Sequence, residues 1–260
     1  MTTLVFTRPE ERLPSSIELA EKMGFKVLAA PSLRIIEGDE GDMRRFEQGM
    51  VEGTYAAVVI TSVTAVEHSI AKVRDERIVS RMHDVVLIAI GRATRDSLRD
   101  LGFDPSMPDE YTSTGLVDMF SDTLKGKRVC LLRSDKGSRI LNDGLIQAGA
   151  DIDEIHVYKL EPVMESAGMD IILDEMIEGT IDAYAFTSAL SAKTFLDIAE
   201  HRIGRGLVVD RFKEAVVAAI GAPTAEEIER LGHTVDIVST KADFPMMLQE
   251  IREFLDSISV

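Results

Sequence analysis

Apolar runs of strand length alternate with segments of helical periodicity along the whole chain. Residues 4–6, 26–30, 56–60, 85–90, 128–132, 155–160, 181–186, 216–220 and 235–238 read as strands. Apolar positions recurring every three or four residues predict helices over 13–23, 43–51, 140–148, 169–177, 187–199 and 244–255. A further helix follows Thr112-Ser113-Thr114-Gly115, with Leu116, Met119, Phe120 and Leu124 turned inward. Residues 31–36 look extended, 37–41 form a polar break, 105–110 a loop, and 74–84 a charged, solvated stretch. Strands alternating with helices predict an α/β chain built on parallel sheets.

The pattern is densest around Val216-Val217-Ala218-Ala219-Ile220-Gly221-Ala222-Pro223-Thr224. A strand breaks at Gly221 and a helix follows, with Pro223 in its first turn, where a missing N–H costs nothing. Thr224 and Glu227 have capping-box spacing, and Gly232 is the expected stop. The same design occurs earlier as Ala89-Ile90-Gly91-Arg92-Ala93-Thr94, ending at Leu101-Gly102. Two more pairs support it. Val58-Val59-Ile60-Thr61-Ser62 answers Tyr184-Ala185-Phe186-Thr187-Ser188, and Leu4-Val5-Phe6-Thr7-Arg8 answers Cys130-Leu131-Leu132-Arg133-Ser134. The chain is a twofold internal repeat. Thr64 and Glu67 also have capping-box spacing, after the strand that ends at Ile60.

Composition narrows the class. A chain of 260 residues with 45% hydrophobic residues has room for two cores. No run has the apolar length of a membrane span, and Met1-Thr2-Thr3-Leu4-Val5-Phe6-Thr7-Arg8 is not a signal peptide, so a cytoplasmic protein is expected. The single cysteine, Cys130, lies inside an apolar strand and reads as a small buried hydrophobe in a reducing compartment. A net charge of −16 and the absence of tryptophan argue against nucleic-acid binding.

Hydroxyl-bearing turns (Thr61-Ser62, Thr94, Ser113-Thr114, Thr187-Ser188 and Thr224) fall where strands pass into helices. Any one of them reads most simply as a helix cap. Five of them, in two related halves, suggest facing rims of N–H and O–H donors around a cleft suited to a large polyanion. Other chemistry is missing. Gly204-Arg205-Gly206 is no dinucleotide fingerprint. No phosphate-binding loop, His-Glu-x-x-His motif, nucleophile elbow or Ser-His-Asp set occurs, and His68, His83, His156, His201 and His233 are scattered as structural or exposed residues. The clustered acids of a response-regulator-like module are also absent. Hydroxyls, backbone amides, a few arginines and Tyr158 remain.

In order along the chain, Thr-Ser-Val-Thr-Ala-Val-Glu (61–67), Ile-Gly-x-x-Thr (90–94), Ser-x-Gly-Leu (113–116), Leu-Arg-Ser…Arg (132–139), Val-Tyr (157–158), Phe-Thr-Ser (186–188) and Ile-Gly-x-x-Thr-Ala (220–225) resemble uroporphyrinogen-III synthase. The resemblance covers nearly the whole chain. It implies an enzyme of tetrapyrrole biosynthesis, a cofactor-independent hydro-lyase without metal. Such an enzyme closes hydroxymethylbilane, a linear tetrapyrrole with eight carboxylates, into uroporphyrinogen III with inversion of the last pyrrole and loss of water. The route it implies is departure of the hydroxyl to an azafulvene cation, attack at the substituted carbon to a spiro intermediate, fragmentation and reclosure.

The implied fold is two similar open parallel-sheet domains, flavodoxin-like or Rossmann-like, joined by a two-stranded linker. A repeat alone would suggest tandem domains split near Lys125. The resemblance implies an interleaved chain instead, with residues 1–32 plus 162–260 in one domain, 37–156 in the other, 33–36 and 157–161 crossing between them, and closure on substrate. Tyr158 is the implied catalytic residue, either assisting departure of the hydroxyl or packing as a hinge tyrosine. Thr61, Ser62, Thr94, Ser113, Gly115, Thr187, Ser188, Gly221 and Thr224 are the implied substrate-binding positions. Arg8, Arg133 and Arg139 are implied local cations, or else members of ordinary ion pairs. A monomer is expected, and the resemblance allows a transient contact with hydroxymethylbilane synthase. The competing class is a non-enzymatic two-domain cleft protein that binds a small anionic ligand.

Overall fold

A computed structural model describes residues 2–258. The chain divides into two compact units, one comprising the residues up to Arg34 and from Glu161 onward, the other Ile35–Leu160. The first unit opens with β1 (Thr2–Thr7), α1 (Leu13–Lys22) and β2 (Phe25–Ala30). β3 (Leu33–Glu37) carries the chain across the boundary. The second unit then contains α2 (Glu40–Glu52), β4 (Ala57–Ile60), α3 (Val63–Glu67), α4 (Glu76–Asp84), β5 (Val86–Ala89), α5 (Arg92–Asp100), α6 (Ser113–Leu124), β6 (Arg128–Ser134) and α7 (Arg139–Gln147). β7 (Asp151–Pro162) brings the chain back. The first unit is completed by α8 (Ala167–Glu178), β8 (Ala183–Phe186), α9 (Ala189–Ile203), α10 (Arg205–Glu214), β9 (Val216–Ala219), α11 (Ala222–Arg230), β10 (Ile237–Val238) and α12 (Phe244–Ile258).

The sheet of the first unit has the order β10-β9-β8-β1-β2, and that of the second β3-β7-β6-β4-β5. The repeated segments occupy equivalent places in the two. β1 answers β6, β2 answers β7, β8 answers β4 and β9 answers β5, and within each set of four the neighbouring strands pair in parallel. Even the outermost strand has an echo. β10 pairs with β9, and an isolated parallel bridge joins Ile88 of β5 to Ser106. The two units share a strand order but reach it by different chain routes, the second being a circular permutation of the first.

Strands buried on both faces read as continuous apolar runs, and β4, β8 and β9 are buried at every position. In the first unit one face of the sheet packs against α8, α9, α10 and α11, where Tyr184 stacks on Phe212 with ring centroids 4.4 Å apart. The other face packs against α1 and α12, with Phe6 edge-on to Phe244 at 5.2 Å. The second unit repeats the three layers. Phe46, Met50, Ile78, Met82 and Leu98 cover one face, and Leu116, Leu124, Leu141 and Leu145 the other. Cys130 lies buried in the core of β6.

The structure corrects several expectations. Residues 74–84 are not simply a solvated stretch: α4 carries buried Ile78 and Met82 one turn apart, a stripe too narrow to stand out among charged neighbours. The sequence pattern does not reveal α10, which is anchored by the same spacing in Val208 and Phe212. Met119 is 49% exposed, because Leu116, Phe120 and Leu124 define the inner face of α6. Ser62 caps α3 by accepting from the Ala65 amide at 3.0 Å, so Thr64 lies inside the helix. Gly221 is likewise the N-cap of α11, without a side-chain bond, so Thr224 and Glu227 form no capping box, while Pro223 sits in the first turn as expected.

β3 and β7 constrain each other at Gly38, whose amide donates to the Val157 carbonyl at 3.2 Å. A Cβ at Gly38 would lie 2.0 Å from the His156 carbonyl oxygen and 2.6 Å from the Val157 carbonyl carbon. These are backbone atoms and cannot yield cheaply. Gly38→Ala is expected to destabilise the second unit by about 2–4 kcal/mol, a fall in melting temperature of roughly 5–10 °C by circular dichroism.

Candidate functional site

Parallel pairing brings the carboxyl ends of every strand but β3, which runs against β7, to one edge of its sheet, and in each unit this edge holds most of the candidate residues. In the second unit, Thr61 and Ser62 follow β4, at the point where β4 neighbours β6. The Thr61 amide and hydroxyl both donate to the Leu132 carbonyl, at 3.3 and 3.4 Å. Tyr158, in register with Ser134 on β7, brings its hydroxyl to 3.3 Å from Ser62 Oγ. The tyrosine ring is part of the core of the unit and lies 5.8 Å from the His68 ring, so only its polar tip is left to act at the edge. His68 Nδ1 is 3.3 Å from the Glu37 carboxylate, which Lys72 holds below the usual carboxylate range.

Further along this edge, Gly91 is the N-cap of α5, and Thr94 in its first turn is only 4% exposed. The exposed side chain of that turn belongs to Arg92, whose Nε–H donates to the Tyr111 hydroxyl at 2.6 Å. Thr112 Oγ1 caps α6 by accepting from the Gly115 amide at 3.0 Å, which places Ser113 at the first helical position. Gly115 is required by close approach: a Cβ there would stand 2.4 Å from the Glu110 carbonyl oxygen.

Arg133 is not a free cation. Its side chain is buried, Nη2–H donates to the Ser138 carbonyl at 2.8 Å, and Nη1 lies 3.4 Å from the Glu154 carboxylate. Burial lowers its pKa, and Glu154 opposes that shift. A Cβ on Gly137 would meet the guanidinium at 1.7 Å, so the arginine fills the inside of the turn over residues 134–138 and braces it. Arg139, at the start of α7, is exposed and has no ion pair among the described residues.

In the first unit the edge begins with Thr7 and Arg8. Arg8 Nη1–H donates to Ser16 Oγ at 2.8 Å, and the guanidinium lies 4.4 Å from the Phe244 ring centroid. Burial first, and then the charge of Arg12, lower its pKa. Thr187 and Ser188 follow β8, and Ser188 Oγ caps α9 by accepting from the Ser191 amide at 3.0 Å. Ser191 Oγ then joins two buried hydroxyls, Thr7 Oγ1 at 2.7 Å and Ser32 Oγ at 2.9 Å. Gly221 stands at the end of β9, and Thr224 is 3% exposed, its amide donating to the Gly221 carbonyl at 3.1 Å. Thr94 and Thr224 therefore hold equivalent positions in the two units, and both are turned inward.

The sequence does not single out Arg92, His68 or the Thr7–Ser32–Ser191 cluster, whose members become neighbours only through the fold. Nor does it reveal the distribution of charge. The chain carries −16, yet Arg8, Arg12, Arg92, Arg139 and Lys241, beyond strand carboxyl ends, have no ion pair among the described residues; Lys159 within β7 and Arg74 have none either. Toward the opposite edges Arg45 pairs with Asp42 and Asp153, Arg128 with Asp151 and Asp153, and Arg211 with Glu214, while Lys125, Lys127 and Arg252 stay without an acid among the described residues. The carboxyl edges thus offer hydroxyls, amide N–H groups, one phenol and unpaired cations, a set that binds anions and polarises oxygen.

A family model described as uroporphyrinogen-III synthase HemD matches residues 15–249. A Methanothermobacter thermautotrophicus protein provisionally named uroporphyrinogen-III synthase is 29% identical over 233 residues, covering 89% of this chain and 90% of its own length. The uroporphyrinogen-III synthase of Chlorobaculum parvum is 24% identical over 267 residues, covering 98% of this chain and all of its own. A solved structure of a mutant uroporphyrinogen III synthase from Thermus thermophilus shares the fold, with a TM-score of 0.74 at 19% identity over 99% of this chain and 100% of that one.

The bracing role of Arg133 can be tested by substitution. Arg133→Ala is expected to lower stability by about 2–4 kcal/mol, since it leaves the Ser138 carbonyl without its donor, empties the inside of the turn and removes the cation beside Glu154, which keeps Asn142 Nδ2–H as a donor. Arg133→Lys should recover little of this in a thermal melt, because one ammonium cannot span both partners.

Proposed function

The chain belongs to the uroporphyrinogen-III synthase family, and we propose the division of labour among its residues in that reaction. It is an enzyme of tetrapyrrole biosynthesis that closes hydroxymethylbilane to uroporphyrinogen III. Closure without inversion proceeds unaided, so the enzyme has to favour one attack geometry over another. The observation that carries the assignment of roles is the approach of the Tyr158 hydroxyl to Ser62 Oγ, 3.3 Å apart, at the edge where β4 and β6 end beside β7.

On this reading the Tyr158 hydroxyl donates to the hydroxyl of the substrate as the carbon–oxygen bond breaks. The oxygen leaves as water and a cationic azafulvene remains. Ser62 accepts from or donates to the phenol and keeps it aimed. The substituted carbon of the last pyrrole attacks, the spiro intermediate fragments and recloses, and the proton lost from the re-formed pyrrole restores the phenol. The side chain of Tyr158 supports this role because its ring is fixed by core packing while its oxygen remains at the edge.

Carboxylates of the substrate are taken by the hydroxyls of Thr61, Ser62, Ser113, Thr187 and Ser188, by the amides beyond Gly91, Gly115 and Gly221, and by Arg8 and Arg139. Thr94 and Thr224, being buried, shape the turns that present those amides. Arg133 supports its turn from inside, so its contribution to binding is indirect. The unpaired cations at the carboxyl edges reconcile a chain of charge −16 with an octa-anionic substrate. The non-enzymatic binding protein is not favoured, because the family match runs through almost the whole chain.

The reading extends to a cytoplasmic monomer that handles no nucleic acid and receives a short-lived substrate through transient contact with hydroxymethylbilane synthase. No helix among the described residues is long and apolar enough to cross a membrane. A coupled assay tests the core of it, with hydroxymethylbilane generated in situ and the oxidised uroporphyrin isomers separated by chromatography. Wild-type protein should shift the product to isomer III. Tyr158→Phe should slow formation of isomer III by about 100-fold and let isomer I accumulate. Isomer I alone from folded wild-type protein would overturn the reading.

A further inference from the structure

Three arginines lie on α5. Arg95 is paired with Asp96 at 2.8 Å and Arg99 with Asp104 at 3.0 Å. Arg92, the residue of the three at the carboxyl edge, has no carboxylate partner among the described residues, although acids outnumber bases 45 to 29 in the chain. It is nevertheless held in place. Its Nε–H donates to the Tyr111 hydroxyl at 2.6 Å, and its guanidinium carbon lies 5.1 Å from the centroid of the same ring. Tyr111 is 44% exposed, and its own position is fixed close to Gly91, where an added Cβ would stand 3.5 Å from Tyr111 Cβ.

A surface arginine without a partner normally explores many rotamers. Here a tyrosine occupies the Nε–H and leaves the four Nη hydrogens, a planar fork matched to the two oxygens of a carboxylate. The repeat sharpens the point. The position equivalent to Arg92 in the other half, after Gly221, is Ala222. The guanidinium is therefore no requirement of the turn, which forms equally well around alanine.

We infer that Arg92, oriented by Tyr111, binds one carboxylate side chain of the tetrapyrrole substrate at the carboxyl edge of the second unit. The inference rests on the synthase reading above. It gives the two halves of the repeat different tasks, since only one carries this fork. Arg92 acts in binding and takes no part in the proton transfers assigned to Tyr158.

Initial rates with freshly prepared hydroxymethylbilane test it. Arg92→Gln is expected to raise KM about 5- to 20-fold with kcat within about twofold of wild type, as for a contact made equally in ground and transition states. Arg92→Lys should recover part of the loss, and Tyr111→Phe, which frees the guanidinium, should raise KM about 2- to 5-fold. The rise of KM with added salt should be shallower for Arg92→Gln than for wild type. Melting temperatures should be unchanged in all three variants. A KM for Arg92→Gln within twofold of wild type overturns the proposal, as does an equal fall in kcat and melting temperature, the mark of a structural role. Wild-type protein that still yields isomer III in these assays separates failure of this proposal from failure of the synthase reading.

Discussion

Parallel pairing of β1 with β2 on one side and β8 on the other, and of β6 with β7 and β4 in the second unit, gathers the carboxyl ends of these strands at one edge of each sheet, with β3, which runs against β7, as the exception. Much else follows from that constraint. Most strands hand the chain to a crossover, so most strand ends become helix starts with unsatisfied amide donors, β2, which runs on into β3, being the exception. Hydroxyls at Ser62, Thr112, Ser166 and Ser188 satisfy some of these donors in their own helices. Gly91 and Gly221 bring no capping side chain, so the amides of Arg92, Ala93 and Ala222 receive no side-chain acceptor from their caps, while the Thr224 amide turns back to the Gly221 carbonyl. Capping and binding are therefore two uses of the same groups, and the edges separate them by choosing serine or threonine in some turns and glycine in others.

Charge is organised around the same edges. Ion pairs between exposed side chains contribute little to stability, so the pairing of arginines at the amino ends does little to hold the fold together. Leaving Arg8, Arg92 and Arg139 without acids keeps donors available in a molecule whose overall field repels anions. Arg133 is the instructive exception, an edge cation turned inward to hold a turn through Ser138 and Glu154.

Much of the fold was legible because its inner strands are continuous apolar runs and its turns repeat. The runs at β4, β8 and β9 and the glycines after β5 and β9 are local signals that no tertiary contact overrides. α4 and α10 were not legible, each having two buried residues one turn apart in a charged sequence. At the candidate site, Ser62 and Tyr158 were both found through motifs, but their 3.3 Å approach depends on strand order. The inward course of Arg133, the burial of Thr94 and Thr224, and the hold of Tyr111 on Arg92 depend on side-chain direction, which residue type alone does not encode.

The permuted routes of the two units have a consequence for synthesis. Ile35–Leu160 is one continuous segment, complete before residue 161 is joined. The first unit begins earlier and finishes later, because β1 gains its second neighbour only when β8 emerges. Until then Leu4, Val5 and Phe6 have β2 on one side and an open edge on the other. An early two-stranded fragment with a bare apolar edge must therefore wait on the ribosome while an entire neighbouring body is made and folds. That open edge is a place where nascent chains could associate, a hazard that the stability of the finished protein does not measure.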